Sequence, residues 1–553
     1  MTRFSTSTNI KTNFDYTQQV AFALGFLKDL LFSVKEINFA QILEIFHVHK
    51  SFVLKKLLSD TALYGLSSVL GRLLNYLLVP LHTGVLATSS YGVVSKFYAY
   101  AAFFNVLYTF GMETAFFRFS ADKMQDKQEV FNVSFTVILV ISLLSSGLLY
   151  VLAVPVAGWI GDASQAQFVR WFAGIFFIDA IVIVPFARLR MENRAKKFAT
   201  VRLINIVMNV ILNYLVLYFF HQAVTGEGFE SISVFAARFY SPADAMSYVF
   251  LINLIANAFV LPLLIPELKN YVPKFRFELL KKMLRYGYPI VLMGLFFCIN
   301  EVGNRNFLEW WLPEGYYADA NSLDAVGIFS ACYKLSIFIS LAVQAFKYAA
   351  EPFFFGKAAD KNSPKVFAVV MRYFVIACTL MFLGVSLNLD TLQYFLRQES
   401  YRAAMDLVPI LLMANVFLGI YYNLAVCFKL TDKTIYGAYL GGLGAIITLL
   451  GNYSLIPLLG YWGCAWSTLA CYAFMCVACY WWGEKYFPVP YFLKSALSVM
   501  FLAAVVVWAT TWIEIADVYM KFGVMNGLFL TFSAIIVFYE RKQFTRIQAS
   551  MRT

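Results

Sequence analysis

Arg72, Arg305, Lys334 and Lys347 stand inside stretches of sequence that are otherwise almost wholly apolar. A charge at the centre of an inserted helix costs about 2.5–3.5 kcal/mol, so such residues usually face a polar cavity or a partner. The chemistry open to these four is anion binding. Arg offers a phosphate a planar, bidentate fork, and Lys offers a point charge. At 1.5 Å per residue, Arg72 would lie roughly 16 Å into its span, and Lys334 is similarly deep. The competing expectation is internal pairing. Arg72 could meet Asp179, which is mid-span, and Lys347 could meet Glu351 at i, i+4 spacing. Glu301 and Arg305 share a helix face. Asp179, Glu301 and Glu351 are candidate proton or sodium sites. Asn205, Asn209 and Asn213 recur every four residues as one polar stripe. With Asn415 they either line a cavity, where amides would meet sugar hydroxyls, or bond neighbouring helices. Lys96, Glu113 and Arg118 lie near span ends, where long side chains can snorkel.

Signals for catalysis are weak. The chain has only 4 His, of which His47 and His49 precede the first apolar block and His82 and His221 lie near block ends. No Gly-x-x-x-x-Gly-Lys-Ser/Thr loop is present, so no nucleotide hydrolysis is expected. The 8 Cys lie mostly within apolar blocks. Their spacings suit neither a metal site nor a disulfide framework. The expectation is a non-enzyme with no cofactor and no metal.

Stepping outward, 61% of the 553 residues are hydrophobic and 14% are charged. A soluble domain carries about 25% charged residues, and its core could not bury this much apolar surface. The excess falls into blocks at 61–86, 92–118, 130–155, 168–189, 198–221 and 244–266. Six more follow at 285–308, 324–350, 365–388, 407–428, 434–457 and 460–483, and two at 492–513 and 519–539. Each block is long enough to cross about 30 Å of hydrocarbon as a helix. The alternation of a membrane β-barrel is absent. The fold class expected is an all-α polytopic membrane protein with about fourteen transmembrane helices. Residues 1–60 read as a cytoplasmic or interfacial amphipathic segment, with Leu24, Leu27, Leu31 and Val34 at helical spacing. Prolines at 80, 185, 262, 289, 352 and 409 favour kinks.

The net charge of +12 is not a nucleic-acid signal, because the basic residues gather in the loops of one side. That side holds Arg188, Arg190, Arg194, Lys196 and Lys197, then Lys269, Lys274, Arg276, Lys281 and Lys282, and the tail from Arg541. The acidic loop over 309–324 lies on the other side and holds no basic residue. The positive-inside rule then puts both termini in the cytoplasm.

An internal repeat divides the chain. Residues 91–98, YGVVSKFY, resemble 326–333, VGIFSACY. Glu113-Thr-Ala-Phe-Phe-Arg-Phe-Ser-Ala-Asp-Lys123 matches Glu351-Pro-Phe-Phe-Phe-Gly-Lys-Ala-Ala-Asp-Lys361 in register. Both copies belong to spans that run the same way, which implies two six-helix lobes in parallel repeat. The expected domains are an N-terminal lobe over 61–266, a second lobe over 267–484, two extra helices within 485–540 and a cytoplasmic tail over 541–553.

The segment LLSDTALYGLSSVLGRLLNYLLVPLHT from Leu57 to Thr83 resembles the first span of bacterial polysaccharide-transport flippases. These form a branch of the multidrug/oligosaccharidyl-lipid/polysaccharide superfamily. SSYGVVSKF resembles that branch's turn into span two, and PFARLRMENRAKKF from Pro185 resembles its loop between spans four and five. The resemblance covers residues 57–485. It implies alternating access, a cationic central cavity, and movement of an undecaprenyl-pyrophosphate-linked oligosaccharide to the outer leaflet of the bacterial inner membrane. By position, Arg72 and Lys334 would be the cavity cations. Arg305 resembles the Arg of an Asp-Arg pair in span seven, but Asn304 stands where the Asp would be. The partners implied are the lipid-linked glycan, membrane lipids and glycan polymerase or ligase machinery, with the chain itself a monomer. An antiporter of the same superfamily and a membrane glycan transferase are the rival expectations.

Overall fold

A computed structural model describes residues 70–552, apart from 123–124, 227, 358–362, 432, 434 and 516. The amphipathic segment expected over residues 1–60 and the start of the first span lie outside the described residues. Among the described residues the chain is helical with no strand, and one isolated bridge joins Tyr317 to Ala320.

The helices follow the apolar blocks in order. A helical turn over residues 70–76 leads into α1 (Leu78–Val85), α2 (Thr88–Thr109) and α3 (Met112–Ser120). Then come α4 (Lys127–Val151), α5 (Ala166–Met191), α6 (Ala195–Tyr214) and α7 (Ala245–Ala258). The second half runs through α8 (Phe277–Glu301), α9 (Asn304–Trp311), α10 (Ser322–Leu335) and α11 (Ile337–Lys357). It continues with α12 (Ser363–Leu387), α13 (Val408–Leu424), α14 (Ile435–Leu459) and α15 (Tyr461–Tyr486). The last two are α16 (Leu493–Thr510) and α17 (Val518–Arg552). Among the described residues, 11 helices are long and apolar enough to cross a membrane, or 12 if the bent pair α10–α11 counts as one. The count of fourteen is therefore not confirmed. The first span is cut by the limit of description, and α2 carries too many Ser, Thr and Tyr residues to pass on hydropathy.

Helix ends are set locally. The Asp126 carboxylate accepts from the Gln128 amide and caps α4. Asn321 and Asp324 cap each other's backbone at the start of α10. Two breaks inside spans fall three residues before a proline, at Leu77 before Pro80 and at Phe259 before Pro262, where the ring removes a helix donor, but the others do not follow the prolines. The chain runs helically through Pro185 in α5 and Pro289 in α8, and Pro409 opens α13 instead of bending it. The α2–α3 break falls at Phe110 and Gly111, both left-handed at φ 44° and 64°. It brings the Phe110 carbonyl against α8, where a Cβ at Gly287 would lie 2.6 Å from that oxygen. The 50° bend between α10 and α11 falls at Ser336. Its hydroxyl donates to Tyr333 O at 2.7 Å and accepts from Asn415 Nδ2 at 3.2 Å. A serine hydroxyl there restores hydrogen bonds that the broken helix forgoes.

The two halves meet closely where α2 crosses α10. A Cβ at Gly92 would lie 2.0 Å from Leu323 O, and one at Gly327 would lie 2.0 Å from Thr88 O. Only glycine admits that approach. Helix α17 docks on α12 and the turn that follows it through polar pairs. Arg372 and Glu540, both buried, meet at 2.7 Å. Asn526 donates to Asn388 at 3.0 Å, and Lys521 meets Asp390 at 2.6 Å.

Candidate functional site

Three of the four singled-out cations gather. Arg72 lies on the turn before α1, Arg305 on α9 and Lys334 on α10, so both halves of the chain contribute. Arg305 and Arg72 are both within electrostatic reach of Lys334. Arg305 is 8% exposed, Lys334 is half-buried and Arg72 is exposed. Among the described residues, none of the three forms a salt bridge. The Arg72–Asp179 pairing that the sequence left open is not formed. Lys347, on α11, sets its ammonium 4.8 Å from the centre of the Tyr422 ring. Tyr422 also feels Arg72 and Glu301, which brings Lys347 to the edge of the same cluster. The side chain of Glu351 is outside the described residues, so its pairing with Lys347 stays an expectation.

Arg305 is held in a definite pose. Its Nη1 donates to the Glu301 carbonyl at 3.1 Å, and its guanidinium lies 4.6 Å from the Tyr333 ring centre. The Glu301 carboxylate is occupied elsewhere. It accepts from the Tyr472 hydroxyl at 2.8 Å and from the Tyr333 hydroxyl at 3.3 Å. Glu301 and Arg305 thus share a face without forming an ion pair. Below them, a neutral lattice ties α8 and α9 to α14 and α15. Asn304 donates to Thr468 at 2.8 Å and accepts from Asn452 at 2.9 Å. Thr448 donates to Asn300 Oδ1 at 3.0 Å. These residues are buried and fix the backbone that carries Arg305.

The asparagine stripe divides. Asn205 donates to Asn257 Oδ1 and to the Ala256 carbonyl, both at 3.0 Å. Asn257 in turn donates to Asp179 at 3.0 Å and to Asn253 at 3.2 Å, and Asn253 donates to the Tyr98 hydroxyl at 2.9 Å. Asp179 therefore sits in an amide network between α5, α6 and α7, and the cation it feels is Arg202. Asn213 donates to Asn209 Oδ1 at 2.9 Å, and its own Oδ1 lies 2.9 Å from His82 Nε2. Asn415 is 2% exposed and bonds Ser336 and Leu411 O, which is helix bonding and not cavity lining.

Several neighbours were not visible beforehand. Tyr333, Tyr422 and Tyr472 surround Glu301, but 34 tyrosines hide any three. His82 lies within electrostatic reach of Lys334. Its only mark in the sequence was its position near the end of a block. Lys96, expected to snorkel, is instead buried and paired with Glu309 at 2.6 Å.

The model of the family of polysaccharide biosynthesis proteins matches residues 57–355. No curated protein matches the chain. Among solved structures, the chain resembles the lipid II flippase MurJ in an inward closed conformation. The TM-score is 0.64 at 13% identity, over 86% of this chain and 98% of that one. It also resembles an inward-facing multidrug resistance MATE family transporter of the MOP superfamily. There the TM-score is 0.55 at 14% identity, over 75% of this chain and 94% of that one. The outward-facing conformation of such a transporter gives 0.53 at 14% identity, over 78% and 95%. These likenesses establish the fold, and the family match spans more than half of the sequence, so the chain belongs to the family of polysaccharide biosynthesis proteins.

Proposed function

We propose that this protein is a flippase. It carries an undecaprenyl-pyrophosphate-linked oligosaccharide from the cytoplasmic to the periplasmic leaflet of the bacterial inner membrane, by alternating access, for cell-surface polysaccharide synthesis. The observation that carries this reading is the convergence of Arg72, Arg305 and Lys334 from both halves of the chain with no carboxylate paired to them among the described residues. Three fixed cations repel one another, and an arriving pyrophosphate relieves that repulsion. Carrying the pyrophosphate through hydrocarbon bare would mean burying about two unpaired charges, which is prohibitive. The polyprenyl tail needs no such help and stays in lipid. The family and the fold support the same reading.

In this reading, residues 61–266 and 267–484 are the two moving lobes, and residues 485–540 add two helices beside them. The loop charges place both termini in the cytoplasm. The α2–α10 crossing is then at the periplasmic end. Of the two coupling-ion candidates whose side chains are described, Asp179 in its amide network is the stronger, because Glu301 is held by two tyrosines; Glu351 stands as the third. Asp179 also favours a second reading, a cation-coupled antiporter of the same superfamily, in which it would couple an ion to expulsion of a small metabolite. Deletion would then cause drug sensitivity without a glycan defect.

The test is surface-glycan export in cells carrying Arg72→Ala, Lys334→Ala or both. Each single change should abolish export while the protein remains in the membrane at parental level. Full export by the double variant would retire the cationic-site assignment.

A further inference from the structure

Lys96 lies in α2 and is 2% exposed. Its ammonium donates to Glu309 Oε1 at 2.6 Å and to the Ile160 carbonyl at 3.0 Å. Glu309 is on α9, in the other half of the chain. The turn at Gly161 seats the ammonium. That residue has φ +139°, and a Cβ on it would come within 3.2 Å of Lys96 Nζ. The other carboxylate oxygen, Glu309 Oε2, is buried with no partner among the described residues.

The pair belongs to a longer seam between the halves. Thr88 donates to Asp324. The Tyr401 hydroxyl donates to Leu86 O at 2.9 Å, the Arg397 amide donates to Thr83 Oγ1 at 3.2 Å, and Gln398 donates to Gly84 O at 3.1 Å. The glycine contacts of Gly92 and Gly327 complete it. Within this seam, Lys96–Glu309 is a buried ion pair between the halves. A buried ion pair is a poor means of static stability, because desolvation offsets most of the attraction and an apolar pair would pack as well. A half-satisfied one is poorer still. Such a pair suits a joint that is made and broken, since both groups regain water when it opens.

We propose that Lys96–Glu309 is a latch that holds this end of the two halves shut and is broken once in each transport cycle. The proposal rests on the alternating-access reading above. Its test does not depend on the substrate. In the full-length chain with the eight native cysteines replaced, Ala325→Cys places a thiol at a fully buried seam position. Labelling by a membrane-impermeant maleimide, measured in intact cells, then reports opening. Lys96→Met and Glu309→Gln should each raise the labelling rate about tenfold or more, because each strands a buried group. The double variant Lys96→Met with Glu309→Gln should label no faster than the faster single variant, because both groups act through one contact. Parental labelling in both single variants would overturn the latch. So would a double variant whose acceleration is the product of the two single effects, since each group would then act through contacts of its own. Either result leaves the cation cluster to stand or fall by the export of Arg72→Ala and Lys334→Ala.

Discussion

At the scale of single residues, the proposed site requires that the Glu301 carboxylate, the one near Arg305 among the described residues, be kept from its cations. Glu301 lies one helical turn before Arg305, yet Arg305 takes the Glu301 backbone oxygen and the carboxylate goes to Tyr472 and Tyr333. A hydrogen bond to a charged group is worth about 1.5–3 kcal/mol. Tyr472→Phe should free the carboxylate to turn toward Arg305 and neutralise it. The expected outcome is reduced export at unchanged protein level. Glu301→Gln alone should be mild, since an amide also accepts from Tyr472. In the Glu301→Gln background, Tyr472→Phe should have almost no further effect. A full additive loss in the double variant would mean that the tyrosine acts through something other than this carboxylate.

At the scale of helices, glycine decides how closely the halves approach. Gly92 and Gly327 admit backbone at 2.0 Å from where a Cβ would stand. Gly92→Ala must therefore push α2 from α10. It should lower export and raise labelling of the seam thiol. Gly147→Ala is the control, since nothing lies within 4 Å of a Cβ there and alanine favours the helix by about 1 kcal/mol. Equal effects of the two changes would deny the crossing any special part. This scale also shows what was legible in the sequence. Spans were legible because a run of about 20 apolar residues has one cheap solution in lipid, a helix. Arg72, Arg305 and Lys334 were legible as cations out of place. The breaks were legible only in part: those at Leu77 and Phe259 precede Pro80 and Pro262 by three residues, but no proline marks those at Phe110 and Ser336. The latter two are imposed by contact with α8 and α13, which is tertiary information. The fate of the asparagines was hidden for the same reason. Asn205 and Asn415 have the same amide, and only their neighbours decide that one joins the Asp179 network and the other stitches a bend.

At the scale of the whole molecule, the cations and the seam make one mechanical demand. The cluster draws residues from both halves, and the halves are joined at one end by Thr88–Asp324, Lys96–Glu309 and the glycine crossing. On the proposed function, a substrate held among Arg72, Arg305 and Lys334 could not leave at that end while the seam is closed. Thr88 and Asp324 touch through their side chains, so cysteines at both positions can be joined by oxidation or by a short methanethiosulfonate cross-linker, and reduction cleaves either link. Thr88→Cys with Asp324→Cys, in a chain lacking the native cysteines, should be inactive when linked and regain export after reduction. The reduced double variant fixes the cost of the substitutions themselves, and the difference between the linked and reduced states isolates the cost of immobility. If the linked protein exported glycan at the reduced rate, the seam would not be a gate. Movement would then have to occur by a route that leaves these helices joined, and the shared cluster would be a feature of packing between halves that never part.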